Sequence, residues 1–425
     1  MRALFLSWEY PPVMVGGLGR HVYSLSKALV QAGHEVTVVT RHAPGAAYEE
    51  YVDGVRVIRA AEDPPLFTFS GPTLLAWTMA LNHTLTRAAL RAADTAGFDV
   101  IHAHDWLVAH SAMTLREHLG IPLVTTIHAT EAGRHQGWLP ADTNRSIHST
   151  EWWLANESDR VVVCSHYMRW EVNQLFGVPH QRIDVVANGV DPELWRSDPV
   201  RTDNARRAYA GDGPLIGFAG RLVYEKGVQD LITALPAVRA QHPGLRLIVA
   251  GDGPHRQRLV GLTESLGLEQ AVSFTGFLGG DLPSVMAATD AMVVPSIYEP
   301  FGMIALETAA TGTPIAAAST GGLKEIVEPG RTGMNFPAAN PEALATIVSK
   351  LLADDGNARR MARTAQHVVI DRFSWSLIAR RTGRVYATAV AGASSFLTSR
   401  ATELVAHGYP ELRIPEGNLL RLAAA

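Results

Sequence analysis

The chain has 425 residues, 37 of them basic and 41 acidic, for a formal net charge of −4, which lacks the basic excess that nucleic-acid partners select. That length points to two domains rather than one core, and a hydrophobic fraction of 47% beside a charged fraction of 18% belongs to a soluble globular protein. The one cysteine, Cys164, excludes an internal disulfide and a cysteine-based zinc site.

Ala3–Ser7 is an apolar first strand. The run Arg2–Ser7 is short and leads straight into a motif, so no signal peptide is expected. No apolar run reaches the roughly 18 residues of a membrane span. A cytoplasmic enzyme is the expectation. Trp8–Gly19 follows as a loop, and Arg20–Ala32 as a helix closed by Gly33. Further strands are expected at His34–Thr40, Gly54–Ala60, Asp99–His104, Pro122–His128, Arg160–Ser165 and Ile183–Ala187, with a helical segment at Thr73–Ala93. Strands alternating with helices predict a doubly wound parallel sheet. Ligands bind such sheets at the carboxyl ends of the strands. Gly17, Asp105, His128, Ser165 and Asn188 all stand at or just past such ends.

The first domain is thus expected to span residues 1–197. Over Arg196–Gly213 the pattern lapses into Ser, Asp, Pro, Thr, Asn and Gly, and residues 198–213 read as a linker. A second alternating series occupies 214–372, with strands at Leu215–Ala219, Arg246–Ala250, Val272–Thr275, Ala291–Val294 and Pro314–Ala317. The fold class expected is therefore α/β, with two facing Rossmann-like domains around a deep cleft. A last helix near Trp375–Thr388, within 373–395, is expected to pack back on the first domain. The tail 396–425 has no assignable pattern.

The second domain carries its chemistry in Pro295–Glu307, PSIYEPFGMIALE. Pro300 pushes Glu299 into an extended conformation and suits the first turn of a helix that contains Glu307 about two turns in. Free amides at Gly302 and Met303 make that helix start an anion site. Carboxylates on either side suit the hydroxyls of a phosphorylated sugar. Two glutamates eight apart also occur by chance on solvated helix faces, so the neighbouring motifs decide the matter.

Arg221 and Lys226 lie in GRLVYEKG, after the first strand of the second domain, where two cations can neutralise a diphosphate. Either alone would read as a solvated surface charge. No G-K-[ST] follows, which argues against a P-loop. Gly16-Gly17-Leu18-Gly19 opens the first helix and lets the backbone approach a phosphate or sugar. A dinucleotide fingerprint does not fit, because the third glycine is missing and Thr40-Arg41 stands where a ribose-binding acid would be. His128 ends a strand and precedes the polar stretch ATEAGRH, which could line a cleft; a lone histidine there is more often structural. His102, His104 and Asp105 suggest a metal by composition, but no further ligand set is evident. The loop Gly133–Pro140 offers an acceptor surface, with Arg134, His135 and Trp138 beside Asp105. An indole can stack on a glucose ring, or it can simply anchor the loop in the core.

Together SWEYPPVMVGGLGRH, HAHDW, TTIHATEAGRH, NGVD, GRLVYEKG, IVAGDGP, PSIYEPFGMIALETAATGTP and GGLKEIV, in this order from Met1 to Tyr386, resemble the retaining glycosyltransferases of family 4, which have the GT-B fold. The first and third are most similar to actinobacterial glycogen synthase-like α-1,4-glucosyltransferases. The resemblance implies that Glu307 binds the nucleotide ribose and that Glu299 contacts the donor sugar. It implies that Arg221 and Lys226 stabilise the leaving diphosphate and that Phe301, Gly302 and Met303 offer amides to sugar and phosphate. Gly17, with Gly19, approaches the diphosphate, and His128 lies near the sugar's 6-hydroxyl. The expected catalytic set is His128, Arg221, Lys226 and Glu299. ADP-glucose or UDP-glucose is the expected donor, a substrate rather than a cofactor, and an α-glucan or maltooligosaccharide the acceptor. Neither cofactor nor metal is expected. A mannosyl- or N-acetylglucosaminyltransferase, a sugar-nucleotide epimerase on the same scaffold, and a non-catalytic glucan-binding protein remain as alternatives.

Overall fold

The computed structural model of the chain describes residues 1–61, 69 and 71–407. The first domain is built on β1 (Arg2–Leu6), β2 (Glu35–Arg41), β3 (Glu49–Val52), β4 (Val55–Ala60), β5 (Val100–His104), β6 (Leu123–Ile127), β7 (Arg160–Val163) and β8 (Ile183–Val185). These form one eight-stranded sheet in the order β3-β4-β2-β1-β5-β6-β7-β8. All neighbours are parallel except β3, which pairs antiparallel with β4. The second sheet has six parallel strands, β9 (Leu215–Ala219), β10 (Arg246–Ala250), β11 (Val272–Gly276), β12 (Ala291–Val294), β13 (Ile315–Ala318) and β14 (Met334–Phe336), in the order β11-β10-β9-β12-β13-β14. Helices cover both faces of each sheet, which is why β5, β6, β9 and β12 are buried along their whole length, and β9 and β12 read as unbroken apolar runs.

Apolar clusters fill both faces of both sheets. A further cluster joins the domains. It packs Ile127, Val161 and Val163 of the first against Val294, Phe301, Leu306 and Leu323 of the second. Polar bonds rivet the same seam. Ser165 Oγ donates to the Pro300 carbonyl at 2.6 Å, and Glu325 accepts from the amides of His166 and Tyr167 at 3.1 Å each. Tyr298 donates to Glu171 at 2.8 Å.

Several elements differ from their sequence expectation. The segment 198–213 is not a linker, because Pro199–Tyr209 is a helix capped by the Asp198 side chain. Ala205 and Ala210 bury it against the second domain, so that domain begins near residue 198. The first helix starts at Gly17 rather than Arg20. The helix expected at Pro300 or Phe301 starts at Met303, with Gly302 as its cap, so Glu307 sits only about one turn in. β3 and β14 were not expected. The last helix runs over Trp375–His407, well past Thr388 and into the tail 396–425, of which 408–425 lie outside the described residues. Its Ile378, Ala379, Val385 and Tyr386 complete a core of the first domain.

Candidate active site

The site residues converge where the carboxyl ends of the two sheets face each other. β12 delivers its chain to Ser296–Gly302, and the helix Met303–Thr311 leaves from there. Gly302 has φ +110°, and a Cβ on it would stand 2.5 Å from Leu323 Cδ2, so only glycine turns the chain at this cap. The amides of the first turn have no partner within the helix and carry its positive dipole end. Phe301 contributes backbone alone. Its ring is buried in the interdomain cluster, 6.1 Å edge-on from Phe373, and is not a donor contact.

Glu299 is buried and doubly held. Its Oε2 lies 2.8 Å from Lys226 Nζ and accepts from Ser296 Oγ at 3.0 Å. Lys226 is aimed there by the tight turn Tyr224–Gly227. Gly227 has φ +70°, and a Cβ on it would meet the Pro295 carbonyl oxygen at 1.9 Å. The two motifs the sequence separates are thus locked backbone to backbone. Arg221 is exposed and makes no ion pair among the described residues, which leaves its guanidinium available to a bound anion.

Glu307 is 2% exposed, and its Oε1 is 2.7 Å from Nη1 of Arg20 on the opposite domain. Burial pushes the Glu307 carboxyl above its ordinary range, against the pull of Arg20. Sequence reasoning missed Arg20, although it stands beside the glycine loop. Gly17 faces Met303 across the cleft, with 3.8 Å between the position a Cβ would take and Met303 Cγ. Gly19 does not face the cleft. A Cβ there would meet Glu9 Oε2 and Met14 Sδ at 2.9 Å, and Glu9 itself accepts from the amides of Val15 and Gly16 at 2.8 and 3.0 Å. Its packing role holds the loop in shape, and Glu9 is a second residue that sequence reasoning passed over.

On the first domain His128 closes the cleft floor. Its amide donates to Asp105 Oδ1 at 2.8 Å, and its Nε2 lies 3.2 Å from His104 Nδ1. Asp105 is therefore a buried brace with φ +60°, its carboxyl raised to about 6 by burial, rather than an open acceptor contact. Burial, with help from Arg134, holds the His128 imidazole down to about 3. His102 is fully committed, to Tyr386 Oη and to Thr126 Oγ1 at 2.7 Å each. The His104 ring also lies beside those of His21 and His128. His21, His104 and His128 place three ring nitrogens within 4.8 Å of one another.

The following loop divides in two. Arg134 is half-buried over Asp105, Glu131 and Glu151, and both Glu151 oxygens accept from the Glu131 amide at 3.0 Å. Burial raises the Glu151 carboxyl to about 8. His135 is exposed beside Glu131, at 3.3 Å. Trp138 is 70% exposed, so it does not anchor the loop in the core.

Two family models match the chain. Residues 15–194 match Glycosyltransferase Family 4, and residues 201–368 match Glycosyl transferases group 1. Over 404 residues the chain is 44% identical to the glycogen synthase of Mycobacterium tuberculosis H37Rv, covering 92% of this chain and 96% of the relative. This chain belongs to glycosyltransferase family 4. The glycosyltransferase also shares its fold with sucrose-phosphate synthase from Thermosynechococcus elongatus, at a TM-score of 0.78 and 24% identity over 92% and 99% of the two chains. It also shares the fold with the catalytic domain of starch synthase IV from Arabidopsis thaliana, at a TM-score of 0.73 and 21% identity over 92% and 99%. The boundary between the two family matches, at residues 194–201, falls where the helix Pro199–Tyr209 opens the second domain. Among the described residues, no helix of this glycosyltransferase is long and apolar enough to cross a membrane.

Proposed function

We propose that this glycosyltransferase moves glucose from ADP-glucose or UDP-glucose, with retention, to the non-reducing end of an α-1,4-glucan. The observation that carries this reading is the pairing of two buried carboxylates with cations around one helix N-terminus, Glu299 with Lys226 and Glu307 with Arg20. The similarity to a glycogen synthase over nearly the whole chain supports glucose as the sugar and a glucan as the acceptor.

In this reading the diphosphate lies over the amides at Gly302 and Met303, between Arg221 and Lys226, and close to Gly17. The ribose reaches Glu307, and the hexose lies between Glu299 and His128. Bond breaking at the anomeric carbon leaves an oxocarbenium-like sugar and a nucleoside diphosphate with growing negative charge. Fixed cations and amides stabilise that charge without reorganising. Glu299 is engaged by Lys226 and Ser296, which suits holding hydroxyls better than attacking carbon. The acceptor hydroxyl therefore adds on the face from which the diphosphate departs. Its proton passes to the departing phosphate oxygen, and the new C–O bond replaces the old one with the same configuration. No metal is needed, since cations and helix dipole balance the diphosphate.

The test is nucleoside diphosphate release from a panel of sugar nucleotides, with and without maltooligosaccharide. Release that needs both a glucose nucleotide and the oligosaccharide supports the proposal. Turnover that prefers a mannose or N-acetylglucosamine donor, or that proceeds as isomerisation without acceptor, overturns it.

A further inference from the structure

We propose that His21, His104 and His128 form a binding site for one divalent transition-metal ion of zinc-like chemistry. The three imidazoles come from separate parts of the fold. His21 lies in the first turns of the helix Gly17–Gln31, His104 ends β5, and His128 follows β6. Parallel register, with His104 opposite Thr126, brings the latter two together. The rings of His21 and His128 meet edge to face at 4.7 Å, and those of His21 and His104 at 5.6 Å. Their nitrogens fall within a 4.8 Å span.

Zinc–nitrogen bonds of about 2.0–2.1 Å in a tetrahedron place ligand nitrogens about 3.3 Å apart. His104 Nδ1 and His128 Nε2 already stand at 3.2 Å. The other separations close by rotation of His21, which has at least one ring nitrogen with no hydrogen-bond partner among the described residues beside the nearby Asn188 side chain. His104 Nε2 is likewise unpartnered, and both side chains are more than nine-tenths buried. Buried polar atoms are normally satisfied, so unpartnered nitrogens from two of three clustered rings point to a ligand. Asn188 bears on His21, and its Oδ1 also lacks a partner. Metal-bound histidines usually donate their remaining N–H to such an oxygen. The set holds imidazoles without carboxylates, which selects zinc, cobalt, nickel or copper over magnesium or calcium.

His128 is half-buried whereas its two partners are buried, so the open coordination position faces the cleft. If the hexose lies as proposed above, a bound ion and the donor sugar compete for this place. That consequence rests on the donor reading; the metal site itself does not.

The full chain, stripped with EDTA, is titrated with zinc by calorimetry and with cobalt by visible absorption. Expected are one tight equivalent of zinc, a tetrahedral cobalt band that zinc displaces, and no comparable magnesium binding. His21→Ala and His104→Gln should lose the band and bind zinc at least tenfold more weakly, while His110→Ala, outside the cluster, keeps both. X-ray absorption on the unmutated zinc form should count three imidazole nitrogens, a readout that does not depend on the variants folding. Absence of the cobalt band in the wild-type chain, fewer than three imidazoles, or unchanged affinity in folded His21→Ala would overturn the site. Metal binding without any sugar transfer would leave the site standing and sink the proposed function. Transfer without metal binding would do the reverse.

Discussion

Arg20 and Glu307 form an ion pair across the cleft, 2.7 Å from nitrogen to oxygen, with the arginine partly in solvent and the carboxylate almost wholly out of it. Each domain supplies one member, so the pair measures whether the two faces are apposed. A ribose bound at Glu307 has to share this carboxylate with Arg20 or displace it.

Glu307→Ala should raise the donor's dissociation constant roughly ten- to hundredfold, the equivalent of a charge-assisted hydrogen bond of about 1.5–3 kcal/mol. Calorimetry with the free nucleoside diphosphate reads this directly. Unchanged affinity would remove the ribose role from Glu307.

Arg221→Ala and Lys226→Ala should lower turnover more than donor binding, each by about 10²–10³-fold, because the diphosphate charge they meet grows in the transition state. The structure separates the two in a second measurement. Arg221 is exposed, so its loss should leave the melting temperature unchanged. Lys226 neutralises buried Glu299, so its loss should also lower the melting temperature. Near-wild-type turnover in either variant would make that residue an ordinary surface charge.

Glu151 should make the fold less stable as pH rises. Its carboxyl is raised from 4.5 to about 8 by burial, near Arg134, Asp105 and Glu131. The folded state therefore holds a proton that the unfolded chain has released, and this contribution is complete below about 4.5 and gone above about 8. Glu151→Gln, which cannot ionise, should flatten the fall in melting temperature between these limits, with a difference of order a few kcal/mol at the alkaline end. Identical profiles for the two proteins would show that Glu151 titrates normally.

Trp138→Ala should raise the Michaelis constant for maltooligosaccharide about two- to tenfold, the range of a stacking contact of about 0.5–1.5 kcal/mol. The constant for the donor should stay nearly fixed. Because the indole is 70% exposed, the melting temperature should not move. Unaltered constants for both substrates would send the search for the acceptor elsewhere on the first domain.

Sugar transfer should survive dialysis against EDTA, since Arg221, Lys226 and the helix amides carry the diphosphate charge in the proposed reaction. Loss of activity that magnesium or manganese restores would contradict this.

The order of elements was legible because strands covered on both faces spell largely apolar runs, and the working edge followed from where those runs end. Gly17, Asp105, His128 and Gly302 were located in that way. Elements with little buried surface were harder to find. β3 alternates exposed and half-buried residues, as an edge strand does, and its only strong sign is the Asp53-Gly54 turn with φ +51° and +82°. The helix Pro199–Tyr209 buries a single residue, Ala205, so hydrophobic periodicity is silent there. Its Asp198 cap and Pro199 first turn were the available signals. The Arg20–Glu307 pair and the His21–His104–His128 cluster could not be read at all, because they are long-range contacts that only the packed sheets create. Where the Phe301 ring goes could not be read either. Its motif position is at the site, but the ring turns the other way, into the interdomain core.

The crossing of the chain at Phe373 has a practical outcome for anyone who wants half of this molecule. The Phe373 carbonyl accepts from the Val190 amide at 2.9 Å, and beyond it Tyr386 delivers its hydroxyl to His102 deep in the first domain. The first domain is therefore finished by residues that follow the whole second domain in sequence. A fragment ending near residue 197 would emerge with an uncovered apolar face and a stranded imidazole, whereas one fusing 1–197 to 373–407 would carry its missing side. Cleavage within the 373–407 stretch should therefore loosen the first domain, although the cut lies far from that domain in sequence.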